Sequence, residues 1–177
     1  MEYDPQAHHR RSVRLAGFDH SQAGAYFVTI CTHDRELSLQ AGPVRDVVRS
    51  AWCGLPARFP GVALDEFVIM PNHIHGIIIL EGGAASGAPT VLGAASSTPT
   101  VLGAVSSAPT LGRVVRAFKS ISGIEANKAL GRSNLPFWQR SYHEHIIRDD
   151  EELNAIRQYI QANPGNWSDD PENPSNA

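Results

Sequence analysis

Apolar positions along the chain fall into two rhythms. Residues 25–33, AYFVTICTH, are dense in aromatic and β-branched side chains and predict a strand. In VRDVVRSAWCGLPARF, residues 44–59, Val44, Val47, Val48 and Trp52 recur at helical spacing with arginines between them, and Gly54 and Pro56 end or kink that helix. VALDEFVIM at 62–70 and HIHGIIIL at 73–80 are two apolar runs joined at Pro71-Asn72, which reads as a hairpin. GRVVRAFKSISGIEANKAL, 112–130, places Val115, Phe118 and Ile121 inward and Arg113, Arg116 and Lys119 along a flank, with an interruption expected near Gly123. FWQRSYHEHIIR, 137–148, reads as extended. DDEELNAIRQYIQANPGNW opens with acids suited to a helix N-terminus, carries Leu153, Ile156 and Ile160 on one face and stops at Asn163-Pro164-Gly165.

The order strand, helix, hairpin, helix, strand, helix predicts an α+β fold: a ferredoxin-like central antiparallel sheet with helices packed on it. Between hairpin and basic helix the pattern lapses. PTVLGA begins at Pro89 and again at Pro99 and then decays, so about 83–111 is a low-complexity insertion with no chemistry assigned. The remaining organisation is a basic arm at 1–24, a main domain at 25–167 and an acidic tail at 168–177. The longest apolar run is far too short for a bilayer, and MEYDPQAHHRRSVR does not resemble a signal peptide. A cytoplasmic protein without membrane partners is expected, with Cys31 and Cys53 reduced and buried.

Charge changes the picture through its placement. The formal net charge of −3 argues against a nucleic-acid partner. Residues 83–143 nevertheless set Arg113, Arg116, Lys119, Lys128, Arg132 and Arg140 against Glu125 alone, and Arg10, Arg11 and Arg14 form a second basic cluster. A polyanion responds to the local field, so a phosphate-binding face stays open.

The chemistry-bearing residues begin with His73 and His75. Two apart on a strand, they project from one face with Cα atoms roughly 6.5–7 Å apart, close enough to converge on one ion, while Ile74 points into the core. The plainer reading is two polar side chains on a solvated face. On the last helix Tyr159 and Asn163 stand one turn apart beside the apolar stripe, where they lean toward the histidines or serve as packing and a cap. Spacing alone leaves both readings open.

VIMPNHIHGIIIL followed by FWQRSYHEHIIRDDEELNAIRQYIQANP resembles the single-tyrosine HUH transposases, and within them the REP-associated tyrosine transposases. The resemblance rests on the MPNHxH entry, the WQRxYxxHxIR stretch and the YIxxNP helix end, with YFVTICTHDR and FKS in support. It spans about 12–167 apart from the repeats. It implies that His73 and His75 hold a divalent ion, that Asn163 is a third, amide ligand, that Tyr159 is the nucleophile, and that His145 supports the site. Mg2+ or Mn2+ is the implied cofactor, manganese suiting both imidazole ligands and phosphoryl chemistry. The implied activity is nicking and strand transfer of single-stranded or hairpin DNA from repetitive extragenic elements through a 5′-phosphotyrosine intermediate, by a monomer or homodimer. Arg10, Arg11, Arg14, Arg113, Arg116 and Lys119 are the expected DNA contacts. The rival readings are a DNA-binding protein of the same fold without catalysis, and an HxH metalloprotein acting on a small molecule.

Overall fold

The computed structural model describes residues 23–81 and 109–176. Arg10, Arg11, Arg14 and nearly all of the repeat insertion lie outside the described residues.

β1 (Gly24–Cys31), β2 (Val62–Ile69), β3 (His73–Leu80) and β4 (His143–Ile147) form one antiparallel sheet in the order β2-β3-β1-β4. With α1 (Gly42–Cys53) and α3 (Leu111–Ala129) as crossovers, this is the ferredoxin-like arrangement. The short α2 (Leu55–Arg58) continues α1 beyond the break at Gly54, and α4 (Asp150–Ala162) follows β4.

The two central strands are apolar without alternation because both sheet faces are covered. Tyr26, Val28, Ile30, Ile74 and Ile78 pack under α1 and α3, against Val44, Val48, Trp52, Val115 and Phe118. Phe27 and Ile77 face the other way, under Ile156 and Ile160 of α4. Each buried isoleucine contributes on the order of 1.5–3 kcal/mol toward docking α4. Apart from Thr29 in β1 and His73 and His75 in β3, the polar residues lie on the edge strands: Asp65 and Glu66 in β2, His143 to His145 in β4.

Asp149 caps α4, its carboxylate accepting the Glu152 N–H at 2.8 Å, and Glu152 reaches back to accept the Arg148 N–H at 2.8 Å. Polar contacts then hold α4 at both sheet edges. On β4, His145 Nε2 lies 2.6 Å from Glu152 Oε1. On β2, Arg157 donates to both Asp65 oxygens at 2.9 and 2.6 Å, and Gln161 donates to Glu66 at 2.8 Å.

Several sequence expectations need correcting. α3 runs through Gly123 to Ala129 without interruption; Gly123 is buried against Phe137 and Trp138, which a Cβ there would meet at an ordinary contact distance of 3.5 Å. Only His143–Ile147 of the 137–148 stretch is a strand; Phe137 and Trp138 turn into the core, where the Trp138 indole donates to Ser122 Oγ at 2.9 Å. Cys53 is exposed rather than buried. Within the acidic tail, a 3-10 turn at Asn163–Asp169 carries the chain back over the sheet, burying Asp170, Glu172 and Asn173 while Ser168, Asp169 and Pro174 to Asn176 stay exposed. Among the described residues no helix is long and apolar enough to cross a membrane.

Candidate metal centre and nucleophile

Strand alternation puts His73, His75, Ile77 and Ile79 on the face that α4 covers. The register extends the site sideways, with Cys31 beside His73, Thr29 beside His75, and His143 on the far side of Thr29. Both histidines are buried, and their Nε2 atoms approach to 3.0 Å.

The ring orientations are fixed from behind. Asn72 Nδ2 donates to the carbonyls of Glu172 and Arg35, at 2.6 and 3.4 Å, so its oxygen is the atom 2.9 Å from His73 Nδ1. An amide oxygen only accepts; His73 therefore carries a proton on Nδ1, which leaves Nε2 as the nitrogen facing the site. Behind His75 the partner of Nδ1 is the Thr29 hydroxyl at 2.8 Å, which serves either tautomer because it both donates and accepts.

The third group comes from the folded-back C-terminal segment. Asp170 Oδ2 stands 3.7 Å from His73 Nε2, while its other oxygen accepts the Glu172 N–H at 2.7 Å, which fixes the carboxylate. One ligand atom each from His73, His75 and Asp170 lie within 4.8 Å of one another. This donor set fits a divalent cation. The 3.0 Å between the imidazole nitrogens suits two ligands each about 2.0–2.1 Å from one ion. Both outer nitrogens have the oriented partners that metal-bound imidazoles require. A cation there would also neutralise a carboxylate that is costly to bury.

Tyr159 reaches the same place from α4. Its hydroxyl lies 3.5 Å from His75 Nε2, and its ring meets His75 and Phe27 edge-on at 5.3 and 6.0 Å. Burial raises the phenol pKa, the hydrogen bond with Asn163 opposes that shift, and the negative charges of Asp170 and Glu172 add to it. Asn163, one turn on and buried, thus adjoins the phenol, and Asp170 adjoins His73.

Glu172 closes the far side. Its carboxylate pairs with Arg35 at 3.0 Å and accepts the Cys31 thiol at 3.4 Å. Arg35 sits at φ +54° after Asp34 at +50°, a tight left-handed turn that aims the guanidinium at Glu172. Burial, reinforced by Glu172, pushes the Cys31 thiol far up, which favours the protonated thiol that donates to Glu172.

The structure brings His73, His75, Tyr159 and Asn163 together. His145 lies on the same face but is engaged with Glu152, where it positions α4. Arg113, Arg116 and Lys119 lie apart, on α3 across the sheet. Arg113 and Arg116 are exposed, whereas Lys119 donates to the carbonyls of Gln139, Arg140 and Ser141 and is held below the usual lysine range by burial. Sequence reasoning missed Asp170 and Glu172. Acids among Pro, Asn and Ser read as solvated, and only Trp167 just ahead of them hinted that the segment packs.

No protein-family model matches the sequence. An uncharacterized protein of Haemophilus influenzae is 37% identical, the match covering 96% of each chain. Among solved structures, a REP-associated tyrosine transposase bound to a REP hairpin superposes with a TM-score of 0.56 at 21% identity, over 85% of this chain and 75% of that one. The chain therefore belongs to one family with the Haemophilus influenzae protein, and its fold is that of the REP-associated tyrosine transposase.

Proposed function

We propose that the chain is a metal-dependent, tyrosine-nucleophile DNA nicking and strand-transfer enzyme of transposase type. The observation that carries this reading is the 3.5 Å approach of the Tyr159 hydroxyl to His75 within a His73, His75, Asp170 cluster. A phenol with an ordinary pKa of about 10, raised further here by burial, is a poor nucleophile by itself. A bound Mg2+ or Mn2+ supplies the missing charge by drawing electron density from a nonbridging phosphate oxygen.

The protein's own groups do the rest. His73 and His75 would hold the ion, with Asp170 as third ligand; the Asn163 amide, a ligand by the family resemblance, adjoins the phenol and orients it. Tyr159 Oη bonds to phosphorus as the bond from phosphorus to the 3′ oxygen breaks. Water takes the phenol's proton and supplies one to the leaving 3′ hydroxyl. Reversal by a second 3′ hydroxyl rejoins a strand without ATP, because the phosphotyrosine conserves the phosphodiester. One chain supplies every residue named, which supports action by a monomer. The substrate class is single-stranded DNA beside a folded hairpin; the transposase of like fold is bound to a REP hairpin.

The test is incubation of the full chain with labelled single-stranded DNA flanking a hairpin. A denaturant-resistant adduct is expected with Mn2+, and none with EDTA or in Tyr159→Phe. A gel shift without an adduct would instead favour a DNA-binding protein that has lost catalysis.

A further inference from the structure

At the rim of the metal centre, Arg35 holds its guanidinium through a backbone conformation that residues with a side chain rarely adopt. Asp34 and Arg35 are consecutively left-handed, at φ +50° and +54°. Hydrogen bonds to distant elements impose the turn: the Thr32 N–H donates to the Asn72 carbonyl and the His33 N–H to the Phe137 carbonyl, each at 2.8 Å. Asn72, whose oxygen accepts from His73 Nδ1, also donates to the Arg35 carbonyl at 3.4 Å, so the turn and a metal-facing histidine share one anchor. The Arg35 side chain is 40% exposed. It pairs through Nη2 with Glu172 at 3.0 Å and donates through Nη1 to the Pro171 carbonyl at 3.4 Å. Of the five N–H groups of a guanidinium, these two contacts leave three without a partner among the described residues. The Glu172 oxygen that faces Arg35 also accepts the Cys31 thiol, and Cys31 stands beside His73 in the sheet.

We propose that Arg35 is a phosphate-positioning residue, whose outward N–H groups take the backbone phosphate next to the one that Tyr159 attacks. The chemistry matches, because a guanidinium presents parallel N–H groups to two phosphate oxygens at once and stays charged. The electrostatics call for a cation at this edge. Asp170 and Glu172 bring two buried carboxylates to the centre, and a DNA strand adds a negative charge with every nucleotide. Asp170 lies against His73, whereas Glu172 is paired with Arg35, which still faces solvent. The neighbouring Asp34 carboxylate turns to His33 at 3.1 Å. Glu172 intervenes between the guanidinium and Cys31, so Arg35 lies outside the cluster of His73, His75 and Tyr159, and that favours an adjoining phosphate over the scissile one. The pinned turn fixes the guanidinium before DNA arrives, which spares a long side chain the ordering cost of gripping a phosphate.

The proposal rests on the DNA-cutting reading above, and the first arm of its test needs no cutting. Fluorescence anisotropy of the full chain in EDTA, with a labelled single strand flanking a hairpin, should show Arg35→Ala binding about tenfold more weakly, with the slope of log affinity against log salt reduced by about 0.7, as expected for one lost phosphate contact to a single strand. Arg35→Lys should recover much of the loss, and Arg49→Ala, which removes an exposed cation of α1, should lose none. Arg35→Ala/Glu172→Gln separates a phosphate contact from a counter-ion for Glu172: the contact predicts binding as weak as in Arg35→Ala, the counter-ion predicts restored binding. In the second arm, with Mn2+, a methylphosphonate in place of a phosphate beside the cut should slow adduct formation by the unaltered chain and make no further difference in Arg35→Ala. Unchanged affinity of Arg35→Ala, restoration in the double variant, or additive effects of Arg35→Ala and the methylphosphonate on both sides of the cut overturns the proposal. Weakened binding in Arg35→Ala with no adduct from the unaltered chain overturns the proposed chemistry and leaves the phosphate contact standing.

Discussion

Replacing Gly76 by alanine drives a methyl group into Trp52. An ideal Cβ at Gly76 falls 2.4 Å from Trp52 Cζ2, 2.7 Å from Cη2 and 3.1 Å from Phe67 Cδ2. Carbon atoms rest at about 3.5–4.0 Å, so the indole must retreat by about 1 Å or more. It has nowhere to go: Trp52 is 1% exposed, stacks on Phe67 at 4.6 Å and meets Phe118 edge-on at 5.4 Å. Overpacking of this kind costs about 1–3 kcal/mol. At about 2–4 °C per kcal/mol for a chain of this size, Gly76→Ala should melt about 2–12 °C lower. Thermal unfolding followed by circular dichroism measures it. Because the two sites touch, Trp52→Leu should cost less in the Gly76→Ala background than in the unaltered chain. A Gly76→Ala melting temperature within 1 °C of the unaltered chain, or strictly additive effects, would refute the packing argument.

Three further outcomes follow from the same contacts. Mn2+ should raise the melting temperature of the unaltered chain, by about 2.7 kcal/mol of stabilisation at a hundredfold excess over Kd, and the gain should vanish in His73→Ala and shrink in Asp170→Asn; calorimetry with and without EDTA checks this. Ser122→Ala leaves the buried Trp138 indole N–H without its acceptor at 2.9 Å and should cost about 1–3 kcal/mol in urea denaturation. The Arg157 hydrogen bonds hold the Asp65 carboxyl below its usual range against the opposing effect of burial. A depressed folded pKa gives stability that is full above the unfolded value of about 3.9 and is lost as pH falls through the folded value, so Asp65→Asn should flatten the acid limb of the stability profile and leave its shape above about pH 5 unchanged.

The sheet and its helices were legible because burial imposes periodicity. β1 and β3 read as unbroken apolar runs since both faces are covered, and α1 and α4 show one stripe each. The paired histidines were legible for the same reason, as alternation forces residues two apart onto one face. Gly123 misled because glycine reads as a helix stop, yet burial of its face of α3 against Phe137 and Trp138 carries the helix through it. Asp170 and Glu172 were illegible in a different way. Their burial depends on a 3-10 turn that reverses the chain and on Arg35 and Asn72, which are distant in sequence and meet that segment only in the fold. The basic flank of α3 was visible in sequence, but not that Lys119 is occupied by carbonyls while Arg116 and Arg140 remain exposed.

Trypsin offers a direct view of the nucleophile, since cleavage after Arg157 releases a C-terminal peptide, from Gln158 onward, that contains Tyr159 as its only tyrosine. After reaction with a short single-stranded DNA and Mn2+, then nuclease trimming, mass spectrometry of that peptide should show Tyr159 carrying a 5′-linked nucleotide, with none formed in EDTA or in His75→Ala. A nucleotide on Tyr142 or another residue instead, or cleaved DNA with the Gln158 peptide unmodified, would contradict the account.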